Sequence, residues 1–491
     1  MRRQWIWLFW MTAVAVGGTL LVLTVTRWGA FVSDDSYHYI KPVRDALAGL
    51  GFHPSPIFPP GLPVALLPLG WLGIDPLVGI RWLNAFLFGA NALLAGVMVK
   101  RMGASNTFAL LAALWVAWAE PALEAHAGAM SEALSITFTL LALLVALAYL
   151  ETPRWRTLIA SALLASLACL TRYAALPVVV AIPIALVFFH TRHRWKERLA
   201  APAVFAAVSL LPVAVYVQRS AIVLGRPLYY PSYTSEPFTR DNLVWYLYNT
   251  LDWFVPGRFL GGHELSAGLV ALFGLILCSV AWRFFRRRNP GIPLRISPGL
   301  WLLVLYVLMT YVLLYFSRGL THLVIYNPRY LVPPLLAVLL VFVYLLDRFW
   351  RFCGRWPRKA IVMLCIGFSL YYGYRTAEYT WRISQTGLGY LNIGWHTSET
   401  IPYLKQNPDR TVVATGDVGI YFWTGRLPRV VTAFGSMEAM RTFLCDNNGI
   451  LVIMSQMPTE IYRLDEGDVV RGLELEREFN DSRVYGCPSS Q

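Results

Sequence analysis

The chain has 491 residues, of which 57% are hydrophobic and only 14% charged, and this excludes an ordinary water-soluble fold, whose charged share is about 25%. The formal net charge of +14 would suit a nucleic-acid ligand, but its distribution argues otherwise. Residues 378–491 hold 10 Lys and Arg against 14 Asp and Glu, so that stretch is −4 and the rest +18; the basic excess sits among apolar segments and points to membrane lipids, with no nucleic-acid partner.

Apolar blocks of about twenty residues recur along the chain, the length a helix needs to cross a hydrocarbon core. They predict eleven transmembrane helices near 5–25, 77–98, 104–119, 130–150, 157–170, 173–189, 199–217, 265–282, 299–316, 330–346 and 360–377. Runs such as LLALLVALAYL leave no polar alternation for a barrel lumen. The fifth and sixth blocks are short and meet at Thr171-Arg172, which reads as a tight hairpin. The first block follows two arginines, and with no convincing small-residue cleavage site after it, it reads as an uncleaved anchor. With the N-terminus in the cytoplasm, the inner segments carry twenty Lys and Arg, from Arg2 and Arg3 through Lys100, Arg101 and Arg283 to Arg358 and Lys359. The longer outer loops carry about ten, the bias expected of cytoplasmic loops. An odd number of spans then leaves the C-terminus extracytoplasmic.

Two outer loops are long, at 26–76 and 218–264. The first opens with SDDSYHY, continues as SYHYIKPVRDALAGLG and ends in the Pro-rich PSPIFPPGLP. Tyr39, Val43, Ala46, Leu47 and Leu50 fall on one helical face, so this segment reads as an amphipathic helix lying on the membrane surface. After the last span, TVVATG, RVVTAF and GILVIMS read as strands, and SMEAMRTFL and TEIYRL as short helices, a small α/β sheet. The predicted organisation is an all-α membrane domain over 1–377 and an extracytoplasmic α/β domain over 378–491.

Carboxylates so close to lipid are expensive, and Asp34 and Asp35 follow the first span directly. One reading makes Asp34 or Asp35 the cap of the amphipathic helix; the other makes one of them a general base. Arg172 and Arg329 stand at outer ends of spans, where guanidinium either snorkels to the interface or grips phosphate bidentately. Arg81 suits a headgroup or an ion pair with Glu124 or Glu132, and Glu132 itself suits a helix end. His53, His126, His263 and Glu264 offer no pair with ligand spacing on one element, so no cofactor is expected, with a divalent metal the less favoured alternative. Among the six cysteines only Cys445 and Cys487, both in the terminal domain, are placed to be bridged.

The ordered set of motifs resembles the dolichyl-phosphate-mannose protein mannosyltransferase-like glycosyltransferases, in particular their prokaryotic members. It comprises Asp35-Ser36-Tyr37-His38-Tyr39, Ala48-Gly49, Phe58-Pro59-Pro60-Gly61-Leu62-Pro63, Met130-Ser131-Glu132, Leu170-Thr171-Arg172-Tyr173 and Asn327-Pro328-Arg329-Tyr330-Leu331-Val332-Pro333. The stretch Gly416-Asp417-Val418-Gly419-Ile420-Tyr421-Phe422-Trp423-Thr424-Gly425-Arg426 is similar to their tail domain. The resemblance implies a GT-C fold in a bacterial or archaeal plasma membrane. It also implies transfer of a sugar from a polyprenyl-phosphate donor to an extracytoplasmic glycan, lipid or protein. The family's loop Asp maps onto Asp35 when Tyr39 is the aromatic that follows it, or onto Asp34, since the usual Asp-Glu pair is here Asp-Asp. Arg172, Arg329 and Arg81 become candidates for the donor phosphate, and Tyr37, His38, Tyr39, Glu132, Tyr173 and Tyr330 for substrate contact. A transporter would need ionisable groups along its span cores, which here are nearly charge-free, and a non-enzymatic scaffold would leave the outer-face motifs unexplained. A metal-dependent oligosaccharyltransferase of the same fold would carry a much larger outer domain.

Overall fold

The computed structural model describes residues 2–189, 195–225, 240–254, 297–320, 328–455 and 465–488. Ten of the eleven expected spans coincide with helices; the eighth, 265–282, lies outside the described residues. In chain order these begin with α1 (Arg2–Val25), α2 (Asp34–Leu47), α3 (Gly61–Trp71), α4 (Pro76–Arg101), α5 (Asn106–Ala117) and α6 (Glu120–Ala127). They continue with α7 (Glu132–Glu151), α8 (Trp155–Thr171), α9 (Leu176–Phe189), α10 (Trp195–Leu224) and α11 (Arg240–Asp252). Three long helices follow, Pro298–Leu320, Val332–Phe352 and Arg355–Thr386. Among the described residues five helices are long and apolar enough to cross a membrane: Gln4–Val25, Pro76–Arg101, Glu132–Glu151, Leu199–Leu224 and Arg329–Arg351. The short hairpin at Thr171-Arg172 is present, since α8 ends at Thr171 and one 3-10 turn, Tyr173–Ala175, leads into α9.

Two segments differ from expectation. The third span is only twelve residues long and bends by 54° into α6. Pro121 in the first turn of α6 has no N–H to continue the preceding ladder, so a new helix starts there. The end of the Pro-rich segment is also helical, as α3, because Pro63 falls in a first turn, where a missing N–H costs little.

The amphipathic helix α2 exists, but its apolar face is covered by protein rather than left for lipid. Tyr39, Ile40 and Val43 are buried against Leu62 and Leu66 of α3, Ile80 of α4, and Val418, Tyr421 and Phe422 of the terminal domain. Leu47 and Leu50, expected on the same face, are exposed. Gly61 explains how tightly the loop is packed, since a Cβ there would lie 2.6 Å from Thr171 Oγ1 and 2.8 Å from the Leu170 carbonyl oxygen. The FPPGLP and LTRY motifs therefore meet at one close approach.

The helix that starts at Arg355 runs through 377 to Thr386, and the terminal domain follows. Its five-stranded sheet has the order β2-β1-β3-β5-β4, with β1 (Thr411–Ala414), β2 (Arg429–Val430), β3 (Gly449–Met454), β4 (Glu474–Glu478) and β5 (Ser482–Gly486). β1 is parallel to β2 and β3, and β5 is antiparallel to β3 and β4. The expected strand RVVTAF contributes only Arg429 and Val430 before a 3-10 turn. SMEAMRTFL forms Met437–Asp446, capped by the Ser436 side chain on Ala439 N–H, whereas TEIYRL lies outside the described residues. Cys445 and Cys487 form the disulfide, tying this helix to the end of β5.

Candidate active site

The chain between α1 and α2 is pinned on both sides before it reaches Asp34. Phe31 N–H donates to the Ala127 carbonyl at 2.8 Å and Ala129 N–H to the Phe31 carbonyl at 2.6 Å. On the other side Tyr390 N–H donates to the Val32 carbonyl at 3.0 Å. Gly389 makes that bridge possible, because its φ is +60° and a Cβ would fall 2.1 Å from the Val32 oxygen.

From this fixed segment α2 starts with Ser33 as its N-cap residue, which corrects the expectation that Asp34 or Asp35 caps the helix. Ser33 N–H donates to Ser36 Oγ at 3.0 Å. Asp34 and Asp35 instead occupy the first turn, where their charge is favoured by the helix dipole. The two point to different partners. Asp34 accepts from the Tyr390 hydroxyl at 2.6 Å, on the terminal side, whereas Asp35 Oδ2 lies 2.7 Å from Arg329 Nη2.

Around Asp35 four charged side chains converge from separate elements. Glu132 opens α7 and is 2% exposed, with Arg172 Nη1 2.8 Å from its Oε1 and Arg329 Nε 3.9 Å from the same oxygen. Tyr330 stands between the two arginines, each guanidinium carbon 5.3 Å from the ring centroid. Arg329 also reaches Met130 Sδ at 3.2 Å, and Tyr39 shares a hydrogen bond with Ser131 at 3.0 Å. The quartet of Asp35, Glu132, Arg172 and Arg329 is formally neutral. Its buried carboxylate is compensated by guanidinium, as a charge removed from water must be.

The remaining candidates fall into place around or away from this quartet. His38 stacks on Phe58 at 4.7 Å between ring centroids, and Tyr37 meets Tyr421 edge to face at 5.0 Å. Burial lowers His38 below its ordinary range, against the opposing pull of Asp35 and then Asp34. Burial pushes the Tyr39 phenol upward, so it stays a neutral hydroxyl. Tyr173, in the 3-10 turn after Arg172, packs partly buried on the main core. Arg81 donates to Thr26 Oγ1 and to the Leu23 carbonyl, each at 3.1 Å, so its partners lie at the end of α1. Among the described residues no ion pair joins Arg81 to Glu124 or Glu132, and no three His, Cys, Asp or Glu side chains are grouped as metal ligands. His126 is taken up by the core, hydrogen-bonded to Asn91 and the Ala122 carbonyl, and His263 and Glu264 lie outside the described residues.

Sequence reasoning did not single out Tyr390 as a neighbour of Asp34, nor place Tyr421, which lies within the Gly416–Arg426 motif, against Tyr37. Tyr390 carries no signal of its own, since an isolated aromatic in a mixed segment reads as ordinary packing. Ser131 was within reach, sitting inside the Met130-Ser131-Glu132 motif, but its partner Tyr39 is 92 positions away.

With this geometry in view, the architecture is shared with solved structures of the GT-C type. The chain is similar to ArnT from Cupriavidus metallidurans bound to undecaprenyl phosphate, with a TM-score of 0.61, 12% identity, and coverage of 98% of this chain and 99% of that one. The apo state of that protein gives 0.60 at the same identity and coverage. An Archaeoglobus fulgidus oligosaccharyltransferase in complex with Zn and sulfate gives 0.55 at 12% identity, over 96% of this chain and 73% of that one. No family model and no curated protein sequence matches the chain. The likeness establishes a GT-C fold, a polytopic helical membrane domain followed by a small α/β domain.

Proposed function

We propose that the protein is an integral-membrane glycosyltransferase that moves a sugar from a polyprenyl-phosphate donor to the hydroxyl of an extracytoplasmic acceptor. The observation that carries this reading is the quartet, which joins a carboxylate on the first outer loop to two arginines at the ends of spans. Asp35 is the general base, taking the acceptor's proton as its oxygen attacks the anomeric carbon. The bond from that carbon to the lipid phosphate breaks, and its electron pair leaves with the phosphate. Arg172 and Arg329 stabilise the added negative charge, and their planar forks match phosphate oxygens. Glu132 and Tyr330 hold the arginines, while Tyr37, His38 and Tyr39 set the loop toward the acceptor side. Tyr173 keeps Arg172 at the hairpin, and Arg81 secures the end of α1. The terminal domain lies outside the cytoplasm and braces α2 through Tyr390 and Tyr421. The similarity of fold to a protein bound to undecaprenyl phosphate supports a lipid-phosphate donor.

The deciding experiment is sugar transfer by purified protein in lipid nanodiscs, supplied with polyprenyl-phosphate sugars and read as released polyprenyl phosphate. Asp35→Asn keeps the side chain's size but cannot accept a proton, so transfer should fall by about 100-fold to 10,000-fold. Asp34→Asn should keep most activity and lose at most about 1 kcal/mol of stability, because its amide oxygen still accepts from Tyr390 and only the charge assistance is lost. Normal transfer by both variants would overturn the mechanism; an inactive, well-folded Asp34 variant beside an active Asp35 variant would move the base one residue back.

A further inference from the structure

Building on the proposed lipid-phosphate reaction, we infer that Arg329 is an interlock: it holds Asp35 until the donor phosphate arrives, and the phosphate then takes the guanidinium and releases the base. The two ion pairs of the quartet are not equivalent. Arg172 and Glu132 are 14% and 2% exposed, a closed pair, whereas Arg329 and Asp35 are 25% and 31% exposed, an open one. An anion entering the site therefore meets the Asp35–Arg329 pair first. Arg329 need not be displaced to change partners. Its Nε lies 3.9 Å from Glu132 and its guanidinium carbon 5.3 Å from the Tyr330 ring centroid, contacts that a trade of Nη2 from Asp35 to a phosphate oxygen leaves in place.

The exchange has a chemical consequence. While paired, the Asp35 oxygen is occupied by the Arg329 donor; with phosphate on that donor, the oxygen is open to an acceptor hydroxyl. The base becomes effective only when there is a sugar to transfer. Glu132 acts as the positioning residue, its buried charge keeping both guanidinium groups together in either state.

The test uses the full-length protein in nanodiscs and the methyl ester of undecaprenyl phosphate, a phosphodiester that does not titrate in the working range. Asp35 competes with the phosphate for Arg329, so Asp35→Asn should bind the ester more tightly than wild type, by about fivefold, the equivalent of one partly exposed ion pair. Asp35→Ser should gain likewise and serves where the Asn variant is too unstable to assay. Equal or weaker binding by either folded variant overturns the interlock while leaving the transferase reading in place. Wild-type protein that binds no polyprenyl phosphodiester overturns both.

Discussion

Among the described residues two clusters join arginine to more than one charged partner, and they are built differently. In one, Arg375 of the Arg355–Thr386 helix donates to Glu120 Oε2 at 2.6 Å, the Asp252 carbonyl at 3.0 Å and carboxylate at 3.3 Å, and the Tyr371 hydroxyl at 3.1 Å. The adjoining cavity of about 10 Å³ has room for no more than a single water. This cluster is a clamp, joining the bend before α6, the end of α11 and the last long helix. In the other, Arg172 and Arg329 share one buried carboxylate, and an open carboxylate lies on the loop. The two differ in what is shared: one arginine takes two carboxylates at Arg375, whereas two arginines take one buried carboxylate at Glu132.

The largest effect that would sharpen this contrast is expected at Arg172. Arg172→Ala should cut kcat/KM for the lipid-phosphate donor by about 100-fold, the usual cost of one lost charge-stabilising donor. It should also destabilise the fold by about 3 kcal/mol, because Glu132 is left buried beside a single, more distant cation. Arg172→Lys should recover part of both, as a point charge lacks the fork. Wild-type donor kinetics in Arg172→Ala would remove it from the phosphate site.

Arg375→Ala should do the reverse. Thermal unfolding in detergent should show a loss of about 2 kcal/mol, from a broken, partly buried pair and its hydrogen bonds. Transfer per folded molecule should stay near wild type. A selective loss of kcat without loss of stability would break the comparison and place Arg375 in the reaction.

The smallest expected effect lies at His38, beside the active quartet. Burial holds its pKa below the ordinary 6.5, so the folded protein resists a proton that the unfolded chain accepts. The stability this confers is full above 6.5, declines as pH falls through that value and levels off below the folded pKa. His38→Gln should flatten this part of the stability profile below about pH 6.5. An unchanged slope would assign the acid sensitivity to other groups.

Hydropathy made the helical architecture readable, and it failed at places with identifiable causes. α3 was not anticipated at the end of the Pro-rich PSPIFPPGLP, because proline marks breaks more often than helix starts, yet α3 places Pro63 in its first turn and tolerates Pro68 near its end. β4 was missed because ELERE is exposed along its whole length, leaving no buried alternation to detect. Charge gave the candidate site its members but not their pairing. Arg172, Arg329, Glu132 and Asp35 were all singled out; that Arg81 belongs to Thr26 and Leu23 instead was not legible. Asp34 and Asp35 were likewise inseparable until the structure turned one toward Tyr390 and the other toward Arg329.

Hydropathy alone determined that this chain is an integral membrane protein and where its apolar helices fall. These properties follow from local stretches of twenty residues, each of which partitions into lipid on its own account. The roles of the charged residues were decided only by tertiary structure. Arg329 and Asp35 are 294 positions apart. An ion pair depends on distances of a few ångströms between groups carried by different elements, and its strength falls off with separation and with exposure to water. No local pattern encodes such a distance; it exists only once α2, α7, the end of α8 and the turn at Pro328–Leu331 have packed together.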